Sequence, residues 1–316
     1  MSYIVDFDDV HKSFGTNLVL NGLNFHVQQG EILALLGHNG AGKTTTLRII
    51  LGLLEINSGH VKVLGSNPIS KREWNRKQIG VLSEDTGLYE SLTVLDNLYF
   101  FADLYQCNTV AYKKRIDDLL SMFQLYDKKD SRIKDFSSGM KKKVALIRTL
   151  FHNPKLVLMD EPVNALDPIS IQLLHDEMNS MRDKYGTTFI ISTHNLDEVV
   201  KISDSIVIIK NGRSVREQSI HLDGSLNMLE AQFSLLNLSE GDKNKVKEIL
   251  DGFHLGWNLK EEKLSVKNAN DYMISELVLA LSKNHIRICE IRKDQFNLES
   301  LYVQIEEENI DYEFDN

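Results

Sequence analysis

The tightest constraint on the fold is the segment Gly37-His38-Asn39-Gly40-Ala41-Gly42-Lys43-Thr44, which joins the apolar run at residues 32–36 to a helical pattern that includes Leu47-Arg48-Ile49-Ile50. It fits G-x-x-x-x-G-K-[ST], which calls for a strand, a glycine-rich turn and a helix in that order. Glycines let backbone N–H groups close around phosphate, and the helix N-terminus favours negative charge. Lys43 can reach β and γ phosphate oxygens, and the Thr44 hydroxyl can ligate magnesium. His38 reads as an ordinary loop residue. Taken alone, a glycine-rich strand-to-helix turn can also be no more than a turn.

A second apolar run, Leu156-Val157-Leu158-Met159, ends in Asp160-Glu161-Pro162. Ligands of open α/β sheets collect at the carboxyl ends of strands, so both acids are candidates for chemistry. Asp160 would hold magnesium, directly or through water, and Glu161 could polarise an attacking water as general base. In isolation the pair could equally be a strand end with solvated acids.

Residues 1 to about 220 alternate short β-rich runs with helical patterns, which predicts an α/β domain on a largely parallel sheet. Residues 32–36, 156–159, 188–191 and 206–209 are apolar on both faces, as buried central strands are. Between the first two, one stripe of Ile116, Leu119, Leu120 and Phe123 and another of Met140, Val144, Ile147 and Phe151 mark a helical insertion, about residues 84–152. Beyond residue 228 the pattern changes to a strand at 233–238, a helix carrying Val246, Ile249, Leu250 and Phe253, and two short strands around Glu261-Glu262. A helix through Ile274, Leu277, Val278 and Leu281, a strand at 286–291 and a last helix through Leu298, Leu301, Val303 and Ile305 follow. The order βαββαβ predicts a small α+β, ferredoxin-like unit. The expected domains are residues 1–228 and 229–316.

A chain of 316 residues with 42% hydrophobic content exceeds one typical core, in keeping with that division. Its net charge of −9 disfavours a nucleic-acid partner. Residues 231–316 hold ten Lys or Arg against seventeen Asp or Glu, and Glu306-Glu307-Glu308 through Asp315 reads as a solvated tail. No apolar run exceeds five residues, far below the roughly 18 to 20 that span a bilayer, so a transport role requires a membrane partner. The start MSYIVDFDDV lacks the features of a secretory signal, which points to the cytosol. Cys107 and Cys289 read as buried, reduced thiols.

Together with Phe136-Ser137-Ser138-Gly139-Met140, Asn164-Ala165-Leu166-Asp167 and Ser192-Thr193-His194, in this order and spacing, the loop and the two acids resemble the ATPase subunits of ABC transporters over roughly residues 3–220. The resemblance implies a P-loop ATPase domain, with a RecA-like core, an antiparallel β subdomain and the helical insertion. It implies that ATP is bound by residues 37–44 with Thr45, and that two ATP molecules are sandwiched in a head-to-tail dimer. Ser137, Ser138 and Gly139 of one copy then complete the phosphate loop of the other, and Asp167 lies in the loop that touches the opposite copy. His194 matches the switch histidine that contacts the γ-phosphate and orients water. Lys43, Glu161 and His194 are thereby the catalytic set, and Thr44, Asp160 and Glu84 the metal set.

The family signature L-S-G-G-Q is altered here at Ser138 and Met140, yet the Ser137 hydroxyl, the Gly139 backbone and the following helix N-terminus still offer donors. By itself this segment would read as a capped helix start. Phe14 falls where the family places an aromatic, commonly tyrosine, that stacks on adenine. Its plain alternative is an edge-strand aromatic. Glu84 stands where the family commonly has glutamine, and adds negative charge beside Asp160 and Glu161. Residues 83–93 resemble the ABC-2-type exporter version, a subgroup that often carries a small C-terminal domain. Near the family's docking site for the membrane partner, the inward members of Leu98, Phe100, Phe101 and Leu104 are expected as helix core. Lys141-Lys142-Lys143 is expected as an exposed helix face.

The expected function is therefore a magnesium-dependent ATPase that powers a separate integral membrane permease from the inner face of the membrane, in export of a drug, peptide, lipid or ion. A soluble ABC ATPase acting on ribosomes or DNA is the first alternative, disfavoured by the single phosphate loop and the lack of long coiled-coil patterns. A regulatory protein that binds ATP without turnover is the second, disfavoured by Glu161 and His194. The 229–316 unit has no glycine-rich loop or catalytic pair, and fold alone assigns no role; regulation or an extra dimer contact is the expectation.

Overall fold

The computed structural model describes residues 3–70, 77–107, 110–219, 229–236, 238–253, 255–269 and 271–295. The chain divides into two compact units, Met1–Gln218 and Ser219–Asn316. In the first, β1 (Tyr3–Phe14), β2 (Asn17–Gln28) and β4 (Ser58–Val63) form a three-stranded antiparallel sheet in the order β2-β1-β4. A six-stranded sheet takes β3 (Ile32–Leu36), β5 (Ile79–Leu82), β6 (Leu156–Asp160), β7 (Thr188–Thr193), β8 (Ser205–Lys210) and β9 (Arg213–Ser219) in the order β5-β6-β7-β3-β8-β9. Every pairing from β5 through β8 is parallel.

Side-chain parity explains how one sheet serves two cores. Successive strand residues point to opposite faces. Ile32, Val157, Met159, Phe189 and Ile191 enter one apolar cluster, while Leu33, Leu35, Leu156, Leu158 and Ile190 enter another. The first cluster is closed by α2 (Val94–Leu104), α3 (Val110–Met122), α4 (Ser138–Leu150) and α5 (Pro168–Tyr185), and the second by α1 (Lys43–Ile50) and the antiparallel sheet. A further short helix, α6 (Leu196–Ile202), joins β7 to β8.

Local signals set the helix ends. The Thr93 hydroxyl accepts from Asp96 N at 3.1 Å and donates to the Asp96 carboxylate at 2.7 Å, a reciprocal cap on α2. Helix α5 begins Asp167-Pro168 and ends on Gly186 at φ 64°, the left-handed turn that glycine enters without a Cβ penalty. In α2 Leu98 is fully buried as expected, whereas Phe100 is 39% and Leu104 59% exposed, so the outward half of that apolar face is not core. The cysteines are free, but Cys289 is exposed and Cys107 only partly covered, which corrects the expectation of buried thiols.

His152 lies 5% exposed behind α4, stacked on Tyr105 with ring centroids 4.2 Å apart. Burial pulls its imidazole from 6.5 down to about 4. The folded value is depressed, so the unfolded chain takes up the proton first as pH falls. Stability is intact above about pH 6.5 and declines toward pH 4, by up to about 3 kcal/mol. His152→Phe, which keeps the stack, is expected to flatten this decline in urea midpoints measured from pH 7 to 4.5, and equal slopes in both proteins would contradict it.

The second unit runs β10 (Leu229–Leu236), α7 (Glu240–Phe253), β11 (Gly256–Lys260), β12 (Lys263–Ala269), α8 (Asp271–Lys283) and β13 (Arg287–Gln295). Its strands form an antiparallel sheet in the order β11-β12-β10-β13. Ala231, Phe233 and Leu235 alternate into a core with Val246, Leu250, Ile274, Leu277 and Leu281, which makes this an α+β unit. The expected last helix and acidic tail fall outside the described residues. Among the described residues, no helix is long and apolar enough to cross a membrane.

Candidate active site

The register of the parallel sheet gathers the site. Leu36 pairs with Thr193, Asp160 with Ser192 and Leu82 with Met159, so four adjacent strands end at nearly one level. The phosphate loop leaves β3 there, Asp160-Glu161 ends β6, His194 follows β7 and Glu84 lies two residues past β5. Loop residues from His38 to Thr45 share a cleft of about 550 Å³ with Glu84, Asp160, Glu161, Asn164 and His194.

Two glycines of the loop are required by close approach. A Cβ on Gly37 would stand 2.5 Å from Ile209 O, and one on Gly42, at φ 116°, would stand 2.6 Å from Leu20 Cδ2. Gly42 is also the N-cap of α1 and supplies no side-chain cap, so the first N–H groups of the helix are left for an anion. Lys43 is folded into the loop, its Nζ donating to Gly37 O at 2.5 Å and His38 O at 3.3 Å. Burial holds its ammonium below the ordinary lysine range, opposed by the nearby Glu161 and Asp160 carboxylates. The cation is thus held dry and ready for phosphate.

Asp160 accepts from the Thr44 hydroxyl at 3.1 Å and, on its other oxygen, from the Ser192 hydroxyl. Glu161 has φ 47°, a left-handed conformation that a non-glycine residue rarely holds. Its N–H donates to Ser192 O at 2.9 Å, its Oε1 accepts from His194 Nδ1 at 2.6 Å, and Thr193 Oγ1 stands 3.4 Å from Oε2. An ionised carboxylate can only accept, so with Glu161 ionised this contact requires the His194 tautomer with hydrogen on Nδ1. A base oriented by a second polar group at hydrogen-bond distance can position and polarise a water.

The remaining candidates lie elsewhere. Phe14 is 47% exposed at the end of β1, with Lys12 Nζ 5.1 Å from its ring centroid, and does not line the cleft. Ser137, Ser138, Gly139 and Asp167 are also outside it. Ser137 caps α4 by accepting from Met140 N at 3.3 Å, and a Cβ on Gly139 would meet Ala165 O at 2.6 Å. Asp167 caps α5, and its carboxyl is held far below the usual range by the Ser170 hydroxyl first and then by Lys143.

Lys141-Lys142-Lys143 is not the exposed face expected. Lys141 pairs with Glu90 at 2.5 Å and Lys143 with Asp167 at 2.9 Å, while Lys142 is 6% exposed and donates to Glu161 O at 3.0 Å. In one chain a lysine run reads as solvated because nothing local reports the loop packed over it. Asn17 and Val19 also line the cleft without any sequence signal, since the β hairpin brings them there through tertiary pairing.

A family model described as ABC transporter matches residues 20–164. The Nod factor export ATP-binding protein I of Rhizobium sp. (strain N33) is 37% identical over 217 residues, 69% of this chain and 71% of that protein. The bacitracin transport ATP-binding protein BcrA of Bacillus licheniformis is 32% identical over 291 residues, 86% of this chain and 92% of that protein, so its match reaches into the second unit. A solved structure, the dimeric post-hydrolysis state of the ATP-binding cassette MJ0796 bound to ADP and Pi, aligns with TM-score 0.62 at 25% identity, over 69% of this chain and 99% of that one.

Proposed function

The chain belongs to the ATP-binding subunits of ABC transporters, and from that premise we propose which residues carry its ATP hydrolysis and what it works with. The observation that carries the assignment is the meeting of Lys43, Thr44, Asp160, Glu161 and His194 in one cleft at the strand ends. Lys43, the loop amides and Thr45 bind the phosphates. Glu161 polarises the attacking water while His194 orients it, and catalysis is mainly positioning and charge neutralisation. Phe14 supplies an aromatic face for adenine, for which its 47% exposure leaves room.

Magnesium fits the donors present. Thr44 Oγ1 and Asp160 Oδ2 stand 3.1 Å apart, Glu84 shares their cleft, and all three are oxygen donors. Among the described residues no three His, Cys, Asp or Glu side chains are grouped to hold a metal alone, which suits an ion that draws other ligands from phosphate and water. When bound, it neutralises charge on the β and γ phosphates. Glu84→Gln is expected to raise the Mg2+ concentration for half-maximal turnover by a few-fold, about 1 kcal/mol for a lost carboxylate at a partly solvated site. An unchanged Mg2+ titration would remove Glu84 from the metal set.

Ser137, Ser138, Gly139 and Asp167 stand outside the cleft they would serve. A second copy of the chain, head to tail, brings them onto the opposite ATP, so two copies make two equal sites. The membrane partner is a separate integral permease, the setting is the inner face of the membrane, and the direction is export, as the name of the Nod factor relative suggests. The ATPase domain spans residues 1–228, and the 229–316 unit is ferredoxin-like, in keeping with its βαββαβ order and antiparallel sheet. Fractionating native cells with and without detergent tests the membrane coupling. The chain is expected in the membrane fraction, released by detergent with an integral protein bound; recovery only as a free cytosolic protein would contradict it.

A further inference from the structure

Lys142 is the feature that the roles above leave unused. It lies in the first turns of α4, the helix capped by Ser137, and is 6% exposed. Burying an ammonium is costly unless it is hydrogen-bonded, and its Nζ donates to the carbonyl of Glu161 at 3.0 Å. That carbonyl belongs to the residue at φ 47°. The Glu161 N–H is tied to Ser192 O on β7, and its carbonyl accepts from Lys142 on α4 at 3.0 Å and more weakly from the Asn164 N–H at 3.4 Å, so both backbone polar groups of Glu161 are held, with Lys142 the nearer donor to the carbonyl.

The helix itself is fixed to the rest of the site. Lys143 pairs with Asp167, and Gly139 lies so close to Ala165 O that a Cβ would stand 2.6 Å away. At the far end Arg148, 8% exposed, donates to Thr86 O at 2.6 Å and Val81 O at 3.2 Å, either side of Glu84. Helix α4 thus touches the backbone on either side of Glu84, the Glu161 carbonyl and the Asp167 carboxylate at once. Movement of its N-terminus would be felt directly at Glu161.

We propose that Lys142 is a positioning residue: its bond to the Glu161 carbonyl holds that carboxylate in its water-polarising orientation and links it to the N-terminus of α4. Residues 137–139 meet the other copy's ATP, a point that rests on the head-to-tail reading above, so engagement of one ATP sets the base of the other site. The hydrolytic reaction is unchanged; Lys142 neither gives nor takes a proton.

The test compares Lys142→Met, which keeps length but removes the donor, with Lys142→Gln, which keeps a donor, in the full chain. Lys142→Met is expected to lower kcat about tenfold or more with KM for ATP within about twofold, as a displaced catalytic group does. Lys142→Gln should recover most of the loss. If Lys142→Met does not fold, judged by thermal midpoint and ATP affinity, Lys142→Leu takes its place. Wild-type kcat in a folded variant without the donor would overturn the proposal, as would a rise in KM with kcat unchanged. The same substitution in a Glu161→Gln background should still form the ATP-held dimer. If Glu161→Gln alone forms none, the head-to-tail reading fails, while the kcat loss still reports the bond to Glu161.

Discussion

Glu161→Gln is expected to lower steady-state ATP hydrolysis by about 10² to 10⁴-fold, while the protein continues to bind ATP. The range is what a positioned general base contributes. The substitution keeps the size of the side chain and leaves the backbone at φ 47° to be held by Ser192 and Lys142 as before. What changes is the oxygen that accepts from His194 Nδ1 at 2.6 Å and can draw a proton from water. An amide is not a useful base at neutral pH. Phosphate release measured under saturating ATP, beside equilibrium binding of ATP, separates the two effects. Turnover near the wild-type rate would remove Glu161 from the chemistry and leave its orientation by His194 unexplained.

Lys43→Ala is the second large effect, and it acts on binding as well as rate. The ammonium is held in the loop by two backbone carbonyls and depressed by burial, so its charge is poorly solvated without an anion. Hydrogen bonds to charged groups contribute about 1.5–3 kcal/mol each, so losing one or two weakens ATP binding by roughly 10 to 10⁴-fold. ATP should lose more than ADP, because the γ-phosphate is within the expected reach of Lys43. Calorimetric titration with both nucleotides checks this; equal losses would place the lysine on the β-phosphate alone, and no loss would empty it of its role.

Much of this site is legible from sequence because its parts sit at strand ends. Residues 32–36 and 156–159 are apolar on both faces, and residues that follow such strands in a parallel sheet must emerge at one edge. Asp160 and Glu161 are readable on that ground, whereas His194, 33 positions beyond Glu161, enters only through the family resemblance. Asn17, Val19 and Lys142 are legible in neither way. The first two reach the cleft through pairing between β strands, and Lys142 is buried by a loop distant in sequence, so a lysine run carried no sign of burial. Phe100 and Leu104 mislead in the opposite sense, since an apolar helix face implies cover but not its source. The left-handed backbone at Glu161 has no sequence signature; glycine would announce it, and glutamate does not.

The central claim is that this chain forms only half of each ATP site. Sedimentation of full-length Glu161→Gln with ATP and Mg2+, then with ADP, tests it most directly. The account predicts a two-chain species held by ATP and dispersed by ADP, and lost when Gly139→Asp places a carboxylate beside Ala165 O, on the segment proposed to meet the other copy's ATP. ATP bound at full occupancy on a single chain at every protein concentration would contradict it.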